Sequence, residues 1–227
     1  MKNEKKWILS KNCNFLSEID LQDKEHILDI KKEYGAMSKR ALLYKIYSDY
    51  PYYAINSEIV EKAGLNKKEK KSILNEKPKQ KERCLFTIGY EGRSIDEYLN
   101  LLIKNNIKIL CDVRKNPLSR KYGFSKRSLQ KKLIELNIQY LHIPNLGISS
   151  QLRKNLKSEQ DYKNLFSIYT KEILPFGKSE LDIIINNLNS NRRVALTCFE
   201  VEPEKCHRHC ISSTLQKKNR GLTIEHL

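Results

Sequence analysis

The chain has 227 residues, a hydrophobic share of 39% and a formal net charge of +16, from 43 Lys and Arg against 27 Asp and Glu. Length and apolar content suffice for one sizeable α/β domain with a small accessory region, or for two compact domains, and exclude global disorder. No run of about 18 apolar residues occurs, so a bilayer-spanning helix is excluded, and a cytoplasmic protein with six reduced thiols and no membrane partner is expected.

In chain order, residues 15–65 read as helical. "KRALLYKIYSDYPYY" places Leu42, Leu43, Ile46, Tyr47 and Tyr50 at helical spacing before Pro51 ends the run. Ser57 is an N-cap candidate for a helix over "EIVEKAGL", with Gly64 near its end. A second helix over 67–74 would complete a candidate helix-turn-helix with a basic second helix. The expected organisation is a helical region over 1–75, a Lys- and Glu-rich linker over 76–83, and an α/β domain over 84–227.

Five short apolar segments then read as strands: "CLFTIGY" (84–90), "IKILCDVR" (107–114), "IQYLHIP" (138–144), "RVALTCFE" (193–200) and "LTIEHL" (222–227). Amphipathic helices separate them. Ser94 and Glu97 form a capping box before a stripe of Ile95, Tyr98, Leu99, Leu102 and Ile103, and Ser125 caps the helix that buries Leu129 and Leu133. Alternation of this kind predicts a mainly parallel sheet of about five strands with helices on both faces. Chemistry in such sheets gathers outside the carboxyl ends of the strands.

Those ends carry the candidate residues. After the first strand stand Gly89, Tyr90, Glu91 and Gly92, a turn that permits close backbone approach and opens a helix favouring an anion. The second strand ends in Asp112 and Arg114, two apart and therefore on one face. The pair reads equally as a loop-fixing ion pair or as a ligand site. Arg114 and Arg120 could hold a phosphate bidentately, Lys115, Lys121 and Lys126 add a positive rim, and Tyr122 and Phe124 could stack on a base. His142, Gly147 and Arg153 follow the third strand.

"CFEVEPEKCHRHC" (198–210) ends the fourth strand and has three readings. As a metal site, C-x7-C-H-x2-C lacks short paired knuckles; Cys206 and Cys210 could join Cys198, whereas adjacent Cys206 and His207 would diverge by about 100° in a helix. As a nucleophile, Pro203 at a first helical position would put Cys206 in the first turn. The helix dipole and Arg208 would stabilise its thiolate there, with His207 as acid or base. As core, Cys111, Cys198 and Cys210 fit the places of small buried hydrophobes. Neither a cofactor nor a resident metal is expected from these patterns.

"TIGYEG", "DVRKNPLSRKYGFSK", "IQYLHIPNLG" and "CFEVEPEKCHR", in this order, resemble the prokaryotic family catalogued as domain of unknown function 488, over about residues 84–227. The resemblance implies an α/β domain with one polar cleft made by Gly89, Tyr90, Glu91, Gly92, Asp112, Arg114, Pro117, Ser119, Arg120, Leu146, Gly147, Glu200, Cys206, His207 and Arg208. Asp112, Glu91, Cys206 and His207 are the candidates for acid–base or nucleophilic chemistry. Gly89, Tyr90, Gly92, Arg114, Ser119, Arg120, Gly147, Glu200 and Arg208 are the candidates for holding an anion. The leading expectation is a nucleic-acid- or nucleotide-directed enzyme, with DNA, RNA or a phosphate-bearing small molecule as partner. A non-catalytic module binding the same ligands is the alternative, and a structural thiol–metal protein the third.

Overall fold

The computed structural model describes residues 19–227 except 155, 157 and 192. Backbone contacts divide the chain into two units, Met1–Glu76 and Lys77–Leu227.

In the first unit, α1 (Leu21–Tyr34) is capped by Asp20 and α2 (Lys39–Asp49) by Ser38, and Pro51 opens a short 3-10 turn, Pro51–Ala54, where α2 stops. The helix expected over 58–65 is instead a single 3-10 turn, Val60–Ala63. Ser57 Oγ accepts from the Ile59 N–H two residues on and meets Tyr47 Oη at 2.7 Å, a local turn that competes with helix entry. Gly64, at φ 77°, ends the segment. Next comes α3 (Lys67–Glu76), where Asn66 and Glu69 cap each other's backbone N–H. The first helix of the candidate helix-turn-helix is therefore absent among the described residues.

The second unit holds five parallel strands: β1 (Cys84–Gly89), β2 (Ile109–Asp112), β3 (Gln139–His142), β4 (Arg193–Cys198) and β5 (Thr223–His226), in the order β3-β2-β4-β1-β5. The sequence-predicted α/β class is the observed one. β1, β2 and β4 are buried along their whole length, whereas the edge strands β3 and β5 are partly exposed, unlike the doubly covered strands expected for all five.

Crossover handedness sorts the helices. β1 and β2 feed α4 (Ile95–Lys104) and α5 (Lys126–Glu135) toward the β3 edge, and these two helices share a core with Phe86, Ile88, Leu110 and Ala195. β3 and β4 feed α6 (Glu159–Ile168), α7 (Lys178–Asn191) and α8 (Arg208–Lys218) the other way, over Leu85, Ile109, Val194 and Leu196 on the opposite face. Neighbouring strands β1 and β4 thus send their connections in opposite directions, opening a crevice beyond their carboxyl ends.

Candidate functional site

Side-chain alternation along β2 turns Asp112 and Arg114 toward the α4/α5 face. Arg114 Nε donates to Asp112 Oδ1 at 2.8 Å and Nη2 to Oδ2 at 2.5 Å; Tyr140 Oη on β3 donates to Oδ2 at 2.7 Å, and the Arg114 N–H to Oδ1 at 3.1 Å. Nη1 of Arg114 donates to Tyr90 Oη and to the Phe124 carbonyl. Burial opposes the charged guanidinium, but the hydrogen bonds and charge of Asp112 outweigh it and raise Arg114 above its ordinary value. Of the two readings open for this pair, the geometry is that of a bidentate, desolvated ion pair fixing a loop.

That loop is closed by its own polar groups. Ser125 Oγ donates to the Ser119 carbonyl and accepts from the Ser119 N–H, although Ser125 makes no side-chain cap to α5. Lys121 Nζ donates to the Tyr90 carbonyl. Phe124 is fully buried, stacked on Tyr90 at 4.4 Å between ring centroids and edge-on to Tyr98, so it cannot receive a base. Tyr122 alone of the two rings stays exposed.

Two glycines draw the loops together. A Cβ on Gly89 would lie 1.8 Å from the Glu200 carbonyl oxygen, and one on Gly147 would lie 2.2 Å from Lys115 N. The close approach they permit is to the protein's own backbone. Gly92, at φ 72°, forms the exposed turn before α4. Glu91, also exposed, accepts from the Val201 N–H at 3.2 Å.

The opposite flank is built from β4 and the start of α8. Pro203–Lys205 is a 3-10 turn of its own, Cys206 follows in extended conformation, and His207 is the N-cap of α8. Cys206 is therefore not in the first helical turn, and burial pushes its thiol well above the ordinary value, opposite to the expected stabilised thiolate. Because Cys206 is extended, it and His207 converge rather than diverge: one ligand atom each from Cys198, Cys206 and His207 lie within 4.8 Å of one another, all three residues buried. His207 Nδ1 is 3.8 Å from Cys198 Sγ and 3.9 Å from Cys206 Sγ, while Nε2 donates to the Val113 carbonyl at 3.1 Å. Cys210 is not in the group; its Sγ lies 3.3 Å from His209 Nε2.

Glu200 Oε2 lies 3.4 Å from Cys198 Sγ, and Oε1 pairs with Arg153. Burial pushes the Glu200 carboxyl up, but the Arg153 charge, with backbone and thiol hydrogen bonds, outweighs it and holds the group below its ordinary value. Arg208, fully buried, donates to the Glu200 and Val201 carbonyls. Its fork holds the loop after β4, and the residue is not part of the cavity wall.

A cavity of about 740 Å³ opens between the flanks at the carboxyl ends of the strands. Six of the sequence-predicted residues line it: Tyr90, Arg114, Ser119, Arg120, Glu200 and His207. Asp112 lies beneath Arg114, and Cys206 is buried beside the lining residues Cys198 and His207. Gly89, Glu91, Gly92, Gly147 and Arg208 support the loops without forming its wall. Ser149 and Ser150, which the sequence did not single out, line the cavity together with Arg153 and Cys198, which it named at strand ends without giving either a role in anion binding or catalysis. Ser149 and Ser150 stand in the same loop after the third strand as Gly147 and Arg153, and that shared loop is the signal that points to them. For Cys198 the sequence left a thiol-ligand reading and a core reading open, because an apolar strand context gives a thiol the appearance of core.

An all-parallel α/β fold with a basic cavity at its topological switch point defines a ligand-site architecture without naming a reaction. The sequence profile described as domain of unknown function DUF488 matches residues 94–215, and the chain belongs to this family. No curated protein and no solved structure matched the chain. Among the described residues, no helix is long and apolar enough to cross a membrane.

Proposed function

We propose that the cavity binds a phosphate-bearing anion and that the chain is a nucleic-acid- or nucleotide-directed enzyme. The observation that carries this reading is the cavity's charge: Arg114, Lys115, Arg120 and Arg153 line it against one carboxylate, Glu200. Asp112 already neutralises Arg114 and Glu200 neutralises Arg153. Lys115 and Arg120 form no ion pair with any described residue, which leaves them to meet the anion, with Ser149 and Ser150 as neutral donors beside them. Cys198, His207 and Glu200 on the same wall supply the groups for chemistry. The overall charge of +16 adds attraction for a polyanion that no single side chain explains.

Fluorescence anisotropy of the full chain with labelled single-stranded DNA and RNA, competed by free nucleotides, tests the reading at about 50 mM salt. Binding should weaken as salt rises, and the Lys115→Ala/Arg120→Ala double variant should lose roughly tenfold or more in affinity. Absence of any binding by the wild type, or equal binding by the double variant, contradicts the proposal. Binding of every ligand tested with none of them converted favours the non-catalytic module over the enzyme.

A further inference from the structure

In the pocket between β4 and α8 the buried polar groups meet mainly one another: two thiols share one imidazole nitrogen, and Cys198 also reaches Glu200. His207 is anchored twice: Nε2 faces the Val113 carbonyl, an acceptor only, and the ring packs edge-on to Tyr169 at 5.6 Å between centroids. A carbonyl can only accept, so the neutral ring carries its proton on Nε2 and presents a lone pair at Nδ1. That lone pair faces two sulphurs at 3.8 and 3.9 Å. Zinc bound at ordinary Zn–S and Zn–N lengths in a tetrahedron separates sulphur from nitrogen by about 3.6 Å. Each sulphur thus already stands close to the distance from the ring nitrogen that a shared metal requires.

We propose that Cys198, Cys206 and His207 bind a single soft divalent cation, zinc by the chemistry of the donors, with its fourth position open to the cavity. Two thiols and an imidazole select zinc-class ions over magnesium or calcium. Binding releases one proton from each thiol, and two thiolates with a neutral imidazole balance the ion's two positive charges. The charge compensation that burial denies the Cys206 thiol is thereby supplied. The Nε2–H to Val113 carbonyl contact is the outer hydrogen bond that orients a metal-bound histidine. Cys198 and His207 line the cavity, which gives the ion an entry path and sets its free position beside Glu200. The site stands on donor geometry alone and holds whether or not the cavity takes a phosphate.

The full chain is purified under reductant, stripped with a chelator and titrated with Zn²⁺ alone or with Co²⁺ alone. The expected result is about one zinc ion per chain and thiolate-to-cobalt charge-transfer absorption together with the visible bands of a tetrahedral ion. Cys206→Ser and His207→Ala should each weaken zinc binding by more than about tenfold, whereas Cys210→Ser and Cys111→Ser should not. Cobalt spectra of the wild type require no variant to fold. Less than about a tenth of an equivalent of zinc with no charge-transfer band overturns the site, as does retention of zinc by both Cys206→Ser and His207→Ala. A metal-free protein that loses about two mass units through a Cys198–Cys206 disulfide under the same reductant also overturns it, in favour of a redox pair.

Discussion

The two flanks of the cavity are both buried and both rich in ionisable groups, yet they are finished differently. On the α4/α5 side, both Asp112 oxygens are occupied, and Arg114 divides its donors among Asp112, Tyr90 and Phe124. On the α8 side, two sulphurs and one imidazole lone pair point at a common centre. A saturated network specifies a shape, because each member is held in one rotamer and one protonation state. A set of soft donors held by weak contacts to one another can exchange those contacts for a ligand. Burial and charge alone do not separate the two cases; the kind of partner each group has does.

Breaking the saturated flank should have the largest effect. Asp112→Asn leaves the Arg114 guanidinium buried without its counter-charge, and urea unfolding should show a loss of about 3–5 kcal/mol. A loss under about 1 kcal/mol would mean that the pair is dispensable scaffolding and would erase the contrast. Gly147→Ala, which places a methyl group against Lys115 N, should cost about 1–3 kcal/mol by the same measurement and loosen the loop that carries Arg120.

The smallest effect sharpens the comparison through pH. Arg153 and Glu200 are partly exposed, so Arg153→Met should lower stability by under about 1 kcal/mol at neutral pH. Glu200 is held below its ordinary value of 4.5, so its contribution is complete above that pH and drains as pH falls through the folded value. Melting temperatures of wild type and variant should therefore begin to approach each other as pH falls below about 4.5 and meet only below the folded value. A gap that persists in acid would assign the variant's loss to packing of the arginine stem.

Much of this architecture was legible before any coordinate. Five short apolar segments with capped helices between them already require a parallel sheet, and the switch-point rule already directs attention to Tyr90, Arg114, Ser119 and His207. What stayed hidden depends on single backbone turns. Pro203 does open a turn, but a 3-10 turn that ends at Lys205, which leaves Cys206 extended and rotates it onto His207. Helical geometry had separated those two side chains. Arg208 looked like an anion ligand because nothing in the sequence reveals that two carbonyls from the loop after β4 would occupy it. Phe124 looked available for stacking because the ring that covers it, Tyr90, is distant in the chain.

The most direct measurement of the division between flanks is urea unfolding of the full chain with and without an excess of Zn²⁺, in wild type, Cys206→Ser and Asp112→Asn. At about a hundred times its dissociation constant, zinc should stabilise the wild type by about 2.7 kcal/mol; the same increment should appear in Asp112→Asn despite its lower starting point, and vanish in Cys206→Ser. An equal gain in Cys206→Ser, or no gain in the wild type, would contradict the assignment of scaffold to one side of the cavity and ligand donors to the other.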